Sequence, residues 1–100
     1  MKDRVVIRLE PFDPFQQIFI FRGGMVEQTL GTTVDDVVTV SLNMMKKYGL
    51  NHMEFTGPKD YVQYYVNKIA AKNITNYNIN NMVYTYISIT GEREELCPSI

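Results

Sequence analysis

The chain has no tryptophan, one cysteine, one histidine, four prolines and six glycines in its 100 residues. The lone Cys97 rules out an internal disulfide, and no paired Cys and His spacing exists to hold structural zinc; a reducing compartment fits best and the protein is read as cytoplasmic. An excess of one charge is missing too. Ten Lys and Arg stand against eleven Asp and Glu, a formal net charge of -1, so no overall basic field draws the chain to phosphate backbones and nucleic acid is not favoured as a partner. Lys2, Asp3, Arg4 and Arg8 interrupt the first ten residues, which leaves no apolar run for a signal peptide. Nor does any segment approach the roughly 20 apolar residues needed to span a bilayer, so no membrane is expected as a partner.

What is present is an ordinary globular balance, 45% hydrophobic and 21% charged, far from the signature of disorder. The length suits one domain, residues 1–100, that buries only about 60 to 65% of its unfolded surface. Residues Asn73 to Asn81 hold five Asn, and with the abundance of Tyr, Ile, Lys and Met this composition suits an AT-rich genome such as that of a low-GC bacterium, its phage or a mobile element.

Val5 to Leu9 reads as a strand that ends at Pro11-Phe12-Asp13-Pro14, and Gln17 to Arg22 reads as its returning partner. Gly23-Gly24 supplies a tight turn into a third strand, Met25 to Leu30. Thr33 with Asp36 three residues later resembles a capping box, and Val34, Val37, Val38, Ser41, Met45 and Tyr48 fall on one helical face before Gly49, placed for a left-handed cap. Leu50 to Thr56 is the next strand. Pro58 opens a second helix with the stripe Tyr61, Val62, Tyr65, Val66, Ile69 and Ala70, and Asn73 can stop it. Met82 to Ile89 is the last strand, and residues 91–100 read as an acidic tail.

The resulting order is βββαβαβ, an α/β (α+β) domain with a mixed five-stranded sheet and two helices on one face, joined by right-handed crossovers. This succession, over roughly Val5 to Ile89, resembles the front part of the ribonuclease H-like fold, with the strand, turn and helix at Met53-Glu54-Phe55-Thr56-Gly57-Pro58-Lys59-Asp60-Tyr61 as its most suggestive stretch. The resemblance implies a metal-dependent nuclease whose acidic residues converge on two metal ions. The positions available for that role are Glu10, Asp13 and Glu54. The family carries an Asp within the first strand, whereas this strand offers Arg8, with Glu10 only at its end. No acid lies in or just after the last strand until Glu92.

Other chemistry is thinly supplied. His52 finds only Glu54 nearby, on the same strand face, and is read as a surface histidine rather than a general base or ligand. Glu92, Glu94 and Glu95 precede Cys97, and their charges disfavour a reactive thiolate. Gly23-Gly24 lacks the Lys-Ser/Thr of a phosphate loop. Tyr61, Tyr64, Tyr65, Tyr77, Tyr84 and Tyr86 could stack bases, but without a basic groove they read as core and surface tyrosines. No metal and no cofactor is expected, and the chain is read as no enzyme.

The informative anomaly is the sheet. A two-layer domain should alternate apolar and polar residues along its strands, yet Ile18 and Ile20 oppose Phe19 and Phe21, and Val83, Thr85, Ile87 and Ile89 oppose Met82, Tyr84, Tyr86 and Ser88. Two helices cover only one side, so the other needs the tail around Leu96 and Ile100 or a second chain. Phe, Tyr and Met are enriched at protein interfaces. The expected interface is Phe19, Phe21, Tyr84, Tyr86 and Met82, and the expected function is a protein-protein interaction module that forms a homo-oligomer through this face or an edge strand. An accessory or inhibitory protein of phage or mobile-element origin suits that reading; a nuclease or a structural subunit of a larger assembly are the alternatives.

Overall fold

The computed structural model describes residues 2–99. Strands β1 (Arg4–Arg8), β2 (Gln16–Arg22) and β3 (Met25–Gly31) form a meander, followed by helix α1 (Val34–Tyr48), strand β4 (His52–Thr56), helix α2 (Lys59–Lys72), strand β5 (Val83–Ile87) and strand β6 (Arg93–Leu96). The six strands make one mixed sheet in the order β3-β2-β1-β4-β5-β6. β1, β4 and β5 run parallel as neighbours, and β2, β3 and β6 are added by antiparallel pairing.

Local chemistry explains most boundaries. Thr33 Oγ1 accepts from the Asp36 backbone N–H at 3.1 Å, while the Asp36 carboxylate reaches back to the Thr32 N–H at 3.0 Å; the shorter Asp thus caps one residue further out than the Glu of a standard box would. Gly49 ends α1 in the left-handed conformation, φ 66°. Gly23 and Gly24, at φ 58° and 80°, match a two-residue type I′ hairpin, which demands positive φ at both positions. At the β1–β2 turn the buried Gln16 amide accepts from the Glu10 N–H and donates to the Glu10 and Asp13 carbonyls.

The core lies between the sheet and the two helices. Val5, Ile7, Ile18, Ile20, Met53 and Phe55 meet Val37, Val38, Leu42, Met45, Val62, Tyr65, Val66 and Ile69, all of them within 2% of complete burial. α1 packs over β2 and β3, α2 over β4 and β5, and the helices touch each other. Both therefore lie on one side.

Two expectations need correction. The sheet has six strands rather than five, because residues 93–96 of the supposed acidic tail pair with β5. Gly91, at φ 85°, reverses the chain, the Ser88 N–H donates to Glu92 O at 2.9 Å, and Leu96 is buried opposite Tyr84. A single apolar residue after three charged ones is too faint a period to betray a strand. The tail therefore widens the sheet and does not fold back over it; Ile100 lies outside the described residues. The second correction concerns the connection after α2: the α-helix ends at Lys72 with Asn73 at its C-cap, but the chain then widens into a π turn, Asn73–Tyr77. The buried Asn73 side chain accepts from the Ile79 N–H at 2.8 Å and donates to the Ile79 carbonyl at 3.0 Å, tying the connection down before β5.

Because Asn73 satisfies both backbone groups of Ile79, Asn73→Ala should cost about 1–3 kcal/mol in urea unfolding. It should also accelerate amide exchange in residues 78–82; an unchanged midpoint would refute the role of this side chain.

Candidate functional site on the open sheet face

Register decides which side chains meet water. One row, Glu27, Ile20, Val5, Met53, Tyr84 and Leu96, crosses all six strands, and from Ile20 to Leu96 it is buried toward the helices. The next row, Gln28, Phe19, Val6, Glu54, Thr85 and Glu95, points the other way. Phe21 and Val26 flank Arg4 on that second side, and Gln17 and Leu30 flank Arg8.

The expected interface therefore divides. Phe19 and Phe21 do lie on the open side, half-buried. Tyr84 and Tyr86 do not, because pairing of β5 with β4 aligns them with Met53 and Phe55. Tyr84 is 4% exposed, and burial pushes its phenol up to about 12. Tyr86 is half-buried and donates its hydroxyl proton to the Gly57 carbonyl at 3.2 Å. Met82 packs against the core. The residues that join Phe19 and Phe21 are Val6, Val83 and Ile87, half-buried, and Val26 and Leu30, exposed. The two parities of β5 looked equally apolar, so the strand alone did not reveal which set faced the helices.

The centre of this face is not apolar either. Glu54, 5% exposed, accepts from Arg4 Nε on Oε1 at 2.9 Å and from Arg93 Nη2 on Oε2, while His52 Nε2 stands 3.4 Å from Oε2. Burial alone would raise the carboxyl, but the hydrogen bonds and charges of Arg93 and Arg4 prevail and hold it below the usual glutamate range. The Arg4 guanidinium also lies 4.2 Å over the Phe21 ring, so its stem and head shield part of the apolar patch. Lys2, Arg4, His52, Glu54 and Arg93 line a shallow cavity of about 330 Å³.

The candidate metal ligands are not brought together. Val6, not an acid, is the β1 neighbour of Glu54, and Glu10 lies four residues farther along, about 13 Å of strand rise away. Glu10 faces Arg8 at 3.4 Å, and Asp13 accepts from the Phe15 N–H. Among the described residues no group of three or more His, Cys, Asp or Glu is placed to hold a metal ion. A larger cleft of about 790 Å³ opens past the ends of the parallel strands between Arg8, Thr56, Pro58, Tyr86 and Ser88. Fully exposed Phe12 and Ile89 lie in the loops at that end. Cys97 is exposed.

The two sheet edges differ sharply. β6 is four residues long, three of them charged, which is the usual protection of an edge against further pairing. β3 is seven residues long with one charge, Glu27, and no proline. Its exposed Met25, Val26 and Leu30 are 67%, 55% and 49% accessible. Sequence reasoning named an edge strand without placing it at β3, although the composition of this strand alone shows no protective Lys or Pro.

No protein-family model matches the chain, and neither a curated protein nor a solved structure matches it. The class defined by the coordinates is a two-layer α+β domain with a six-stranded mixed sheet, and among the described residues no helix is long and apolar enough to cross a membrane.

A depressed carboxyl contributes stability that is complete above its unfolded value, near pH 4.3, and is lost as pH falls through its lower folded value. Glu54→Gln should cost about 2 kcal/mol at pH 7 and reduce the loss of stability between pH 4.5 and 2. Parallel wild-type and variant pH profiles of urea unfolding would refute the assignment.

Proposed function

We propose that this protein is a non-enzymatic protein-protein interaction module whose first partner is a second copy of itself, joined at the β3 end of the open sheet. The observation that carries the reading is the unprotected β3 edge, seven residues with one charge beside the apolar Phe19, Phe21, Val26 and Leu30. An unpaired strand edge is a row of backbone donors and acceptors, and soluble chains ordinarily blunt it. This chain blunts β6 and leaves β3 open. Oligomers of identical chains are most often two-fold dimers, and one exposed edge per chain closes after a single pairing.

We read the strand order β3-β2-β1-β4-β5 as a ribonuclease H-like arrangement extended by β6. Nuclease action within that reading needs convergent carboxylates. The opposing observations are the Arg4 and Arg93 partners of Glu54 and the distance to Glu10. A structural subunit differs from the leading reading only in what the dimer goes on to bind.

Light scattering across the micromolar range should show mass rising from one chain toward two as concentration increases. A strict monomer at high micromolar concentration would sink the proposal. Incubation of the pure protein with DNA or RNA and Mg²⁺ or Mn²⁺ should give no cleavage; cleavage abolished by Glu54→Ala would establish the nuclease instead.

A further inference from the structure

The β3 edge carries information about how two copies would join. Gly23-Gly24 is a two-residue hairpin loop, so the flanking pair Arg22 and Met25 is the closely bonded one that exchanges both backbone hydrogen bonds. Alternation along the ladder then gives β2 the backbone groups of Met25, Glu27, Thr29 and Gly31. The N–H and C=O groups of Val26, Gln28 and Leu30 are left pointing away from the sheet. The side chains of these same three residues lie on the open face, in the rows of Phe21, Phe19 and Gln17.

Resting on the self-association proposed above, we infer that two chains pair antiparallel through β3, with the two-fold axis at Gln28. This axis is the only one that uses the full strand. It sets Gln28 against Gln28 of the second copy, and Val26 against Leu30 on either side, so that every outward-facing backbone group finds a reciprocal partner. The open faces then join into one surface. Val26 and Leu30 extend the apolar patch of Phe19 and Phe21 across the junction, and the two Gln28 amides are self-complementary. On the helix side Glu27 meets Thr29, and Met25 meets Gly31, over which Val37 of α1 is packed.

Neighbouring registers are worse for stated reasons. An axis at Glu27 places two carboxylates in direct opposition, which is destabilising in a cross-strand pair. An axis at Thr29 shortens the overlap and faces Val26 with residue 32, beyond the end of the strand. Charge and strand length therefore select the same centre.

The test uses the full chain with Cys97→Ser, which removes the native thiol that follows β6. Gln28→Cys brings two Cα atoms to about 5.5 Å across the axis, within the range a disulfide spans, and mild oxidation should convert most of the protein to a covalent dimer. Glu95→Cys on β6 should remain uncross-linked. Gln28→Pro removes a donor that the single chain does not use, because edge positions with an outward N–H tolerate proline; it should stay folded, matching the wild-type melting profile at dilutions where the wild type is a monomer, and lose the dimer. Gln28→Lys, which sets like charges against each other, should weaken dimerisation several-fold and make it depend on salt. A monomeric wild type would overturn the proposed function itself. A wild-type dimer that resists cross-linking at residue 28, cross-links at residue 95, or survives folded Gln28→Pro would overturn the β3 pairing alone.

Discussion

The arrangement depends on one constraint: both crossovers of the parallel unit, β1 to β4 and β4 to β5, put their helices on the same side of the sheet. With α1 and α2 sharing a layer, the opposite side has only its own side chains for cover. The solution is electrostatic as much as apolar. A carboxylate at the middle of β4 gathers Arg4 from the neighbouring strand and Arg93 from β6, and the arginine stems then lie over the sheet. Removing either guanidinium would leave a mostly buried anion underpaid in hydrogen bonds, which costs more than an apolar residue at that place would have gained. Glu54 thus ties β1, β4 and β6 together on the face that no helix reaches.

This shielding changes what the open face can do. Phe19 and Phe21 are already half-buried within the single chain. On the proposed reading, a second copy is met at the edge rather than on the face. Backbone pairing there is available without any rearrangement of the arginine cluster, since β3 is separated from Arg4 by β2. An association of this kind is concentration-dependent rather than obligate, because about seven paired residues bury far less than the large apolar interfaces of permanent dimers.

Local chemistry was legible in the sequence wherever one residue type has one job. Thr33 with Asp36, Gly49 after Lys46 and Lys47, and the paired glycines 23 and 24 each mark a boundary within a residue or two. That His52 and Glu54 share a strand face was legible for the same reason, since residues two apart on a strand point to the same side. What stayed hidden was long-range. Nothing near Glu54 in sequence announces Arg93, thirty-nine residues later, and the helix-side parity of β5 is settled only when Tyr84 and Tyr86 are lined up against Met53 and Phe55. The same dependence on distant partners hid β6, whose one buried side chain, Leu96, gains its meaning from Tyr84.

The contrast between the edges follows from that hidden strand. Without β6, β5 would be the second edge of the sheet, with Val83, Tyr84, Tyr86 and Ile87 offering a template at least as adhesive as β3. Arg93, Glu94 and Glu95 close it with charge. The protection is structural as well: Lys59 at the start of α2 holds Glu94 at 2.8 Å, and Arg93 is drawn inward to Glu54. On the proposed reading, a chain that covers one strand edge with three charged residues and leaves the other with a single glutamate extends its sheet in one direction only. Growth in one direction by a two-fold contact stops at two chains, whereas two adhesive edges would propagate into a fibre. The short charged strand is therefore what makes an open β3 tolerable.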